Sequence, residues 1–492
     1  MTLETLLQDM PYLVEVKGDR TVDIGQITAD SREKTRQGLF FCIPGAKFDA
    51  HDFAPQAVEN GAVALVVEHY LPNLAVSQII VNNARAAMAR MAAAFYDHPA
   101  SKMKLVGVTG TKGKTTTSYL LKAIMEKAGY RCGLIGTTGN MIGETRLKGD
   151  LTTPDPIDLQ RVLRQMADSG VQVVSMEVSA HAIDMYRLDG LIFEAGCYTN
   201  LSQDHLDYFH TMDHYLDTKK RFFTTGMVRN ASFNADEDTT PYMLKDLTIP
   251  YITYGICCRA DLFARDIEIS ETGVRFDLKL QEMHNVTVEL KMTGMFNVYN
   301  AIAAASLAMI LGVSSEDIKS GLESVKNVPG RIEMLDTHTP YKVILDYSHS
   351  PDALENILTT VREFAKGRVI VVFGCGGDRD HGKRPTMGGI GGRLADYSIL
   401  TSDNPRTEDP YSILAAVEQG IKPTGGKYVV IENRREAIRH ALMMGRAGDV
   451  VILAGKGHET YQEIMGVKRP FDEKEVVAQL LEEMRGSLKS DS

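Results

Sequence analysis

One stretch constrains this chain more than any other: Gly110-Thr111-Lys112-Gly113-Lys114-Thr115-Thr116. It lies between the apolar run Leu105-Val106-Gly107-Val108 and a segment of helical composition at residues 117–128. A strand, a glycine turn and a helix start together make a phosphate cradle. Backbone N–H groups face the anion, and the helix N-terminus adds partial positive charge. Lys114 is spaced to reach the β- and γ-phosphates, and the Thr115 hydroxyl to ligate Mg²⁺. Only two residues separate Gly110 from Gly113, fewer than in the common form of the loop. The loop predicts a bound triphosphate and leaves its use open.

At 492 residues the chain has room for about three domains. A net charge of −10, with no basic block, argues against nucleic acid or an anionic membrane as partner. No apolar run approaches the ~18 residues of a membrane span, so no membrane insertion is expected. The longest candidate, residues 301–313, reads as a core helix. The first residues, Met-Thr-Leu-Glu, lack a basic start and do not read as a signal peptide. Cys42, Cys132, Cys197, Cys257, Cys258 and Cys375 show no disulfide framework or C-x-x-C spacing. A reduced, cytoplasmic setting is expected, with most of them as small core residues. Cys375 stands apart because it sits in a glycine loop.

Short apolar runs alternate with helical stretches throughout, which predicts an α/β protein of three domains: 1–100, 101–330 and 331–492. Residues 97–101 read as a linker, and Val328-Pro329-Gly330-Arg331 breaks the pattern at the second boundary. In the last unit, apolar runs at 342–345, 369–373, 397–400, 428–431 and 450–453 predict a parallel sheet covered on both faces. Ligands collect beyond the carboxyl ends of such strands. Five polar motifs occupy those places: 109–116, 177–181, 374–380, 403–406 and 455–459. Their number predicts a site built between domains. Glu177, at the end of a buried-type strand, and His205, in the polar loop 199–207, are candidate Mg²⁺ ligands. Read alone, the same residues suit capping and turn chemistry.

In order along the chain, the phosphate loop, Thr152-Thr153-Pro154-Asp155, Glu177-Val178-Ser179-Ala180-His181-Ala182, Thr199-Asn200-Leu201, Asp204-His205-Leu206-Asp207, Gly294-Met295-Phe296-Asn297-Val298-Tyr299-Asn300, Val328-Pro329-Gly330-Arg331 and Asp346-Tyr347-Ser348-His349-Ser350-Pro351-Asp352 resemble the Mur ligases. The resemblance implies an N-terminal uridine-binding α/β domain, a central P-loop ATPase-like parallel-sheet domain and a C-terminal Rossmann-like α/β domain. It also implies an ATP-dependent amide ligase that phosphorylates a substrate carboxylate and lets an amine attack the acyl phosphate. ATP contacts would come from Gly110, Thr111, Lys112, Gly113, Lys114, Thr115, Thr116, Asn300, Arg331, Asp346 and His349. Two Mg²⁺ ions would be held by Thr115, Glu177, His205 and a carbamylated lysine (N6-carboxylysine). That lysine matches Lys219 in Tyr215-Leu216-Asp217-Thr218-Lys219-Lys220, with Lys220 as the neighbouring alternative. Without the resemblance, Lys219 reads as a solvated surface lysine. Catalysis would rest on Lys114, Glu177, His205 and Lys219.

Asp30-Ser31-Arg32, residues 374–380 and Asp403-Asn404-Pro405-Arg406 resemble the family members that extend a UDP-muramoyl dipeptide with a diamino acid. Ser31 and the loop Pro44-Gly45-Ala46-Lys47 would lie nearest the uridine diphosphate. UDP-N-acetylmuramoyl-L-alanyl-D-glutamate would further meet Thr152, Thr153, Ser179 and Arg187. Met185 stands where relatives often carry a polar residue near the sugar. Meso-2,6-diaminopimelate would meet Arg379, Asp403, Asn404, Pro405, Arg406, Gly455 and Glu459. The arginine ending the 403–406 motif marks diaminopimelate users, and the physics agrees. A guanidinium grips the far carboxylate of diaminopimelate through two hydrogen bonds, whereas it repels the terminal cation of lysine. The alternative is the same ligation with L-lysine or another diamino acid. A folylpolyglutamate synthetase, a non-catalytic nucleotide-binding module and a mechanical P-loop NTPase fit the motif set less well. The chain is expected to act as a monomer.

Overall fold

The computed structural model describes residues 1–492 apart from 46–47, 148, 150, 257–259, 281–284 and 491–492. Ala46 and Lys47 of the expected uridine loop, and Cys257 and Cys258, therefore lie outside the described residues.

Three large sheets follow one another along the chain among the described residues, and a two-stranded sheet, Tyr461–Ile464 with Val467–Pro470, comes after them. The first has five strands. Gln26–Thr28, Gly38–Phe41, Ala62–Val67 and Ser77–Val81 run parallel, and Leu13–Lys17 closes one edge antiparallel. Its strands are apolar at consecutive positions because both faces are covered. Leu39, Phe41, Ala64 and Val66 pack into one core, and Phe40, Cys42, Leu65 and Val67 into another. The 97–101 segment, expected as a linker, runs into the short 3₁₀ turn Pro99–Lys102, with Pro99 at its start, where the missing N–H costs nothing.

The second sheet has eleven strands, and Lys104–Thr109 lies in its middle. Val173–Glu177 pairs parallel on one side of it and Phe193–Tyr198 on the other. The chain first builds one flank and then crosses to the other, so the switch point falls at the phosphate loop. A purely parallel sheet is not what forms. Leu262–Ser270 still joins in parallel, but Gly273–Leu280 and Val286–Leu290 extend that edge antiparallel, and a hairpin ending at Thr145–Leu147 extends the other. The half-exposed alternation of these edge strands differs from the continuous apolar runs of the middle. The core helix expected at 301–313 runs over Met295–Ile310 and is buried on nearly every side.

The third sheet has six strands in the order Glu333–Leu335, Lys342–Asp346, Val450–Ala454, Val369–Phe373, Tyr397–Leu400 and Tyr428–Val430. All but the first pair are parallel. Val369, Val371 and Phe373 enter one core while Ile370 and Val372 enter the other. The strand ends carrying residues 346–350, 374–380, 401–406 and 455–459 therefore share one rim.

Candidate active site

The phosphate loop leaves the strand Lys104–Thr109 and enters the helix Lys114–Lys127, which begins three residues earlier than the composition suggests because Lys114 itself opens the first turn. Gly113 has φ +84°, a left-handed conformation costly for any residue with a Cβ, and an added Cβ would also press on the Asn300 amide. Lys114 Nζ folds back over the loop and donates to the carbonyls of Gly110 and Thr111, both at 2.9 Å. Burial is the main cause that lowers its pKa, to about 8, with Glu177 opposing the shift.

Glu177 ends its strand 2% exposed. It accepts from the Thr115 hydroxyl at 3.0 Å, the Thr137 N–H at 2.9 Å and the Thr137 hydroxyl at 3.0 Å. Arg331 donates to the same Thr115 hydroxyl at 3.1 Å, tying the start of the C-terminal unit to the phosphate loop. Lys112 makes a second tie: its ammonium donates to Ser350 Oγ at 2.6 Å and lies 3.6 Å from Asp204. Burial works to raise the pKa of Asp204, but Lys112 and the histidines around it hold the carboxylate well below its ordinary range.

His205 takes a left-handed backbone (φ +57°), and its ring meets His181 edge-on at 4.8 Å. Burial pushes its pKa down to about 4, which keeps the imidazole neutral, the form that ligates metals. Lys219 is not a solvated surface lysine. It is 1% exposed, and its ammonium lies 4.2 Å from the centre of the Tyr215 ring. Burial, with Lys114 adding to it, drives its pKa well below the ordinary lysine value. Lys220, the alternative, is half-buried and donates to the Tyr242 carbonyl at 2.9 Å.

A cavity of about 860 Å³ gathers Thr111 to Thr116, Glu177, His205, Asn300, Arg331, Asp346, His349 and Arg379. Thr152, Thr153, Ser179 and Arg187 line it as well. Some of these groups are already in use. The Thr153 hydroxyl donates to the Glu177 carbonyl at 2.8 Å, Ser179 caps its own helix, and Arg187 is held by the Thr153 carbonyl and Asp155. Asp346 is raised by burial and accepts from Ser348 and from the Ile332 N–H. Met185 is held against Arg187, whose guanidinium reaches its sulfur at 3.6 Å.

Gly110, Lys219, Ser31, Asp403, Asn404, Pro405, Arg406, Gly455 and Glu459 do not line this cavity. Ser31 lies in the first unit, half-buried, donating to Gln56 at 2.8 Å and flanked by the Asp30–Arg32 pair. The other C-terminal residues form a second polar cluster. Asn404 donates to Glu459 at 2.9 Å, and Arg406 (φ +52°) donates to the Gly377 carbonyl at 2.6 Å and lies 3.3 Å from Glu463. Tyr347 joins the two clusters. Its hydroxyl reaches Glu459 at 3.3 Å, and the Arg331 guanidinium stacks 4.9 Å from its ring. Sequence reasoning missed Tyr347, Thr137 and Lys456 as working parts. Each stands in a polar segment directly after an apolar strand, which is the signal that could have found them.

The chain matches three family models: Mur ligase family, catalytic domain, over residues 23–96; Mur ligase middle domain over 108–308; and Mur ligase, glutamate ligase domain, over 330–457. It is 43% identical over 490 residues to UDP-N-acetylmuramoyl-L-alanyl-D-glutamate–2,6-diaminopimelate ligase 1 of Clostridium acetobutylicum, covering 98% of this chain and 100% of that one. It is 44% identical over 492 residues to the UDP-N-acetylmuramoyl-L-alanyl-D-glutamate–2,6-diaminopimelate ligase of Geobacillus thermodenitrificans, covering 99% and 100%. A solved structure of a UDP-N-acetylmuramoyl-L-alanyl-D-glutamate–2,6-diaminopimelate ligase superposes with a TM-score of 0.69 at 32% identity, covering 99% of both chains. With full-length relatives at this identity and all three family models matched in order, the chain belongs to the Mur ligase family.

Proposed function

We propose that this chain is an ATP-dependent amide ligase of peptidoglycan precursor synthesis that joins meso-2,6-diaminopimelate to the D-glutamate carboxylate of UDP-N-acetylmuramoyl-L-alanyl-D-glutamate. The observation that carries the reading is a single cavity in which a phosphate loop, a buried carboxylate and cations from two successive α/β units converge. Relatives that match from end to end bear the name of this reaction.

The chemistry follows from the residues. The substrate carboxylate attacks the γ-phosphorus of ATP, ADP leaves, and an acyl phosphate forms. The amine of diaminopimelate then adds to the acyl carbon, loses a proton and expels phosphate. Bringing a carboxylate against a triphosphate costs repulsion, which Lys112, Lys114 and Arg331 offset from the cavity wall. Lys114 has only to exchange two backbone carbonyls for phosphate oxygens. The ties Lys112–Ser350 and Arg331–Thr115 bring the C-terminal unit over the loop, which keeps water from the acyl phosphate.

Thr115 and Glu177 present hard oxygen donors 3.0 Å apart beside the loop, a set that fits Mg²⁺. Among the described residues no group of three His, Cys, Asp or Glu side chains gathers at a metal-binding distance. Thr115 and Glu177 would hold the ion, which would supply positive charge against the phosphate oxygens that the carboxylate approaches. His205 and Lys219 are the proposed holders of a second ion. Lys219 serves only as a carbamate, and its desolvated, readily neutral amine is the form that adds CO₂. The uridine diphosphate would lie against the first unit near Ser31. The domain division at about residues 100 and 330, a monomeric state and a cytoplasmic location belong to the same proposal. Among the described residues no helix is long and apolar enough to cross a membrane.

The test uses purified full-length chain, ATP and the UDP-muramoyl dipeptide whose glutamate carboxylate carries ¹⁸O, with meso-diaminopimelate or L-lysine supplied separately. Expected are ADP release only with both acceptor and amino acid, a tripeptide product with diaminopimelate, and one ¹⁸O per released phosphate. Phosphate without label would overturn the acyl-phosphate route, and product with lysine alone would overturn the choice of amino acid.

A further inference from the structure

Lys456 is a charged residue with 0% exposure, set in Gly455-Lys456-Gly457 just beyond the strand Val450–Ala454. Gly455 (φ +123°) and Gly457 (φ +54°) hold backbone conformations that turn this loop inward. Taking an ammonium out of water costs several kcal/mol unless its protons are met. An ammonium has three N–H donors, and three acceptors surround it here. Asn404 Oδ1 lies at 2.9 Å, Glu459 Oε2 at 3.2 Å and Asp403 Oδ1 at 3.4 Å.

These contacts decide the direction of two other side chains. Asn404 Oδ1 accepts from Lys456 and also from the Glu463 N–H at 3.0 Å, so its amide nitrogen must point the other way, to Glu459 Oε2 at 2.9 Å. Glu459 Oε2 is thereby filled by Lys456 and Asn404, while Oε1 takes the Tyr347 hydroxyl at 3.3 Å and keeps acceptor capacity for a further donor. Two carboxylates and one ammonium leave the cluster a net charge of minus one, which suits the ammonium of a zwitterionic amino acid. With the lysine side chain removed, Asp403 and Glu459 would repel each other, and Asn404 would lose the contact that sets its amide.

We propose that Lys456 is a positioning residue for the amino-acid pocket: its saturated, buried ammonium fixes the Asn404 amide and the Glu459 carboxylate in the orientations that receive the incoming diamino acid. This rests on the ligase reading above, in which Asn404 and Glu459 touch the substrate. Lys456 acts only through them.

The experiment is steady-state kinetics on the full chain with meso-diaminopimelate, comparing wild type with Lys456→Met and Lys456→Arg, each checked by thermal melting. In Lys456→Met, KM for diaminopimelate is expected to rise about thirty-fold or more, as when one member of a buried charge cluster is truncated. KM for ATP and for the UDP-muramoyl dipeptide should stay within about two-fold, and Lys456→Arg, which restores charge and donors, should recover part of the loss. An unchanged diaminopimelate KM in Lys456→Met, or equal rises for all three substrates, would overturn the positioning role. If Lys456→Met does not fold, Lys456→Gln supplies the same comparison, and the same outcomes decide. A wild-type chain that releases no ADP with diaminopimelate defeats the ligase reading itself, and this is seen before any variant is made.

Discussion

Lys219 and Arg406 carry the sharpest expectations for single residues. Lys219 holds its ammonium against the Tyr215 ring, with burial and Lys114 both working against its charge. A group so placed costs stability in the resting chain. Lys219→Met is expected to lose turnover, to regain none with added bicarbonate, and to melt no lower than wild type. Turnover close to wild type would move the modification to Lys220 or remove it. Arg406 makes an internal hydrogen bond to Gly377 and an ion pair with Glu463, leaving part of its fork for a ligand. Arg406→Ala should weaken diaminopimelate use by about 2–5 kcal/mol, with KM for ATP unchanged, measured as kcat/KM for each substrate. Unchanged apparent affinity for the amino acid would remove Arg406 from the pocket.

Elements hold these residues in place, and two of them can be probed directly. The phosphate loop depends on Gly113, whose positive φ and closeness to Asn300 leave no room for a side chain. Gly113→Ala should cost about 1–2 kcal/mol in urea denaturation from the backbone alone and weaken ATP binding further by displacing Asn300. The loop bearing Arg406 is braced by Glu408, which accepts from Arg384 at 2.8 Å and from the Asp378 N–H. Arg384 is the main reason its pKa falls from the ordinary 4.5 to about 2. A carboxylate depressed by folding stabilises the native state above its unfolded pKa and loses that contribution as pH falls toward the folded value. Glu408→Gln should therefore be less stable than wild type at pH 7, and the difference should shrink from pH 4.5 down to about 2, followed by denaturant unfolding at each pH.

At the scale of the molecule, polar ties between the central and C-terminal units include Lys112 with Ser350, Arg331 with Thr115 and Lys342 with Glu271. Their cavity is lined from both sides, so nucleotide binding should stabilise both units together. ATP at a hundred times its Kd adds about 2.7 kcal/mol to a chain that binds it only when folded. The thermal shift given by the same ATP concentration should shrink in Arg331→Ala, because that residue reaches the phosphate loop from beyond the second boundary. An equal shift in both proteins would place the nucleotide on the central unit alone.

Much of this was legible in the residues themselves. Strands covered on both faces must be apolar at successive positions, so Val369–Phe373 and Val450–Ala454 announce themselves. A phosphate loop is read from local spacing because its chemistry is made by neighbouring backbone groups. The antiparallel edge strands were not legible, since half-exposed alternation there is mixed with turns and charges. Nor was the state of any single lysine. Lys219, Lys220 and Lys456 look alike along the chain, yet two are fully buried and one is not. Whether an ammonium is solvated, paired or stripped of water depends on groups brought near from distant segments, Asp403 to Lys456 and Lys114 to Lys219. The order of amino acids by itself determined the α/β units and the strand, glycine turn and helix start around residues 110–116. Tertiary structure alone decided which side chains are charged, which are spent on one another and which remain for a substrate, because desolvation and hydrogen bonding are properties of a surrounding and not of a residue.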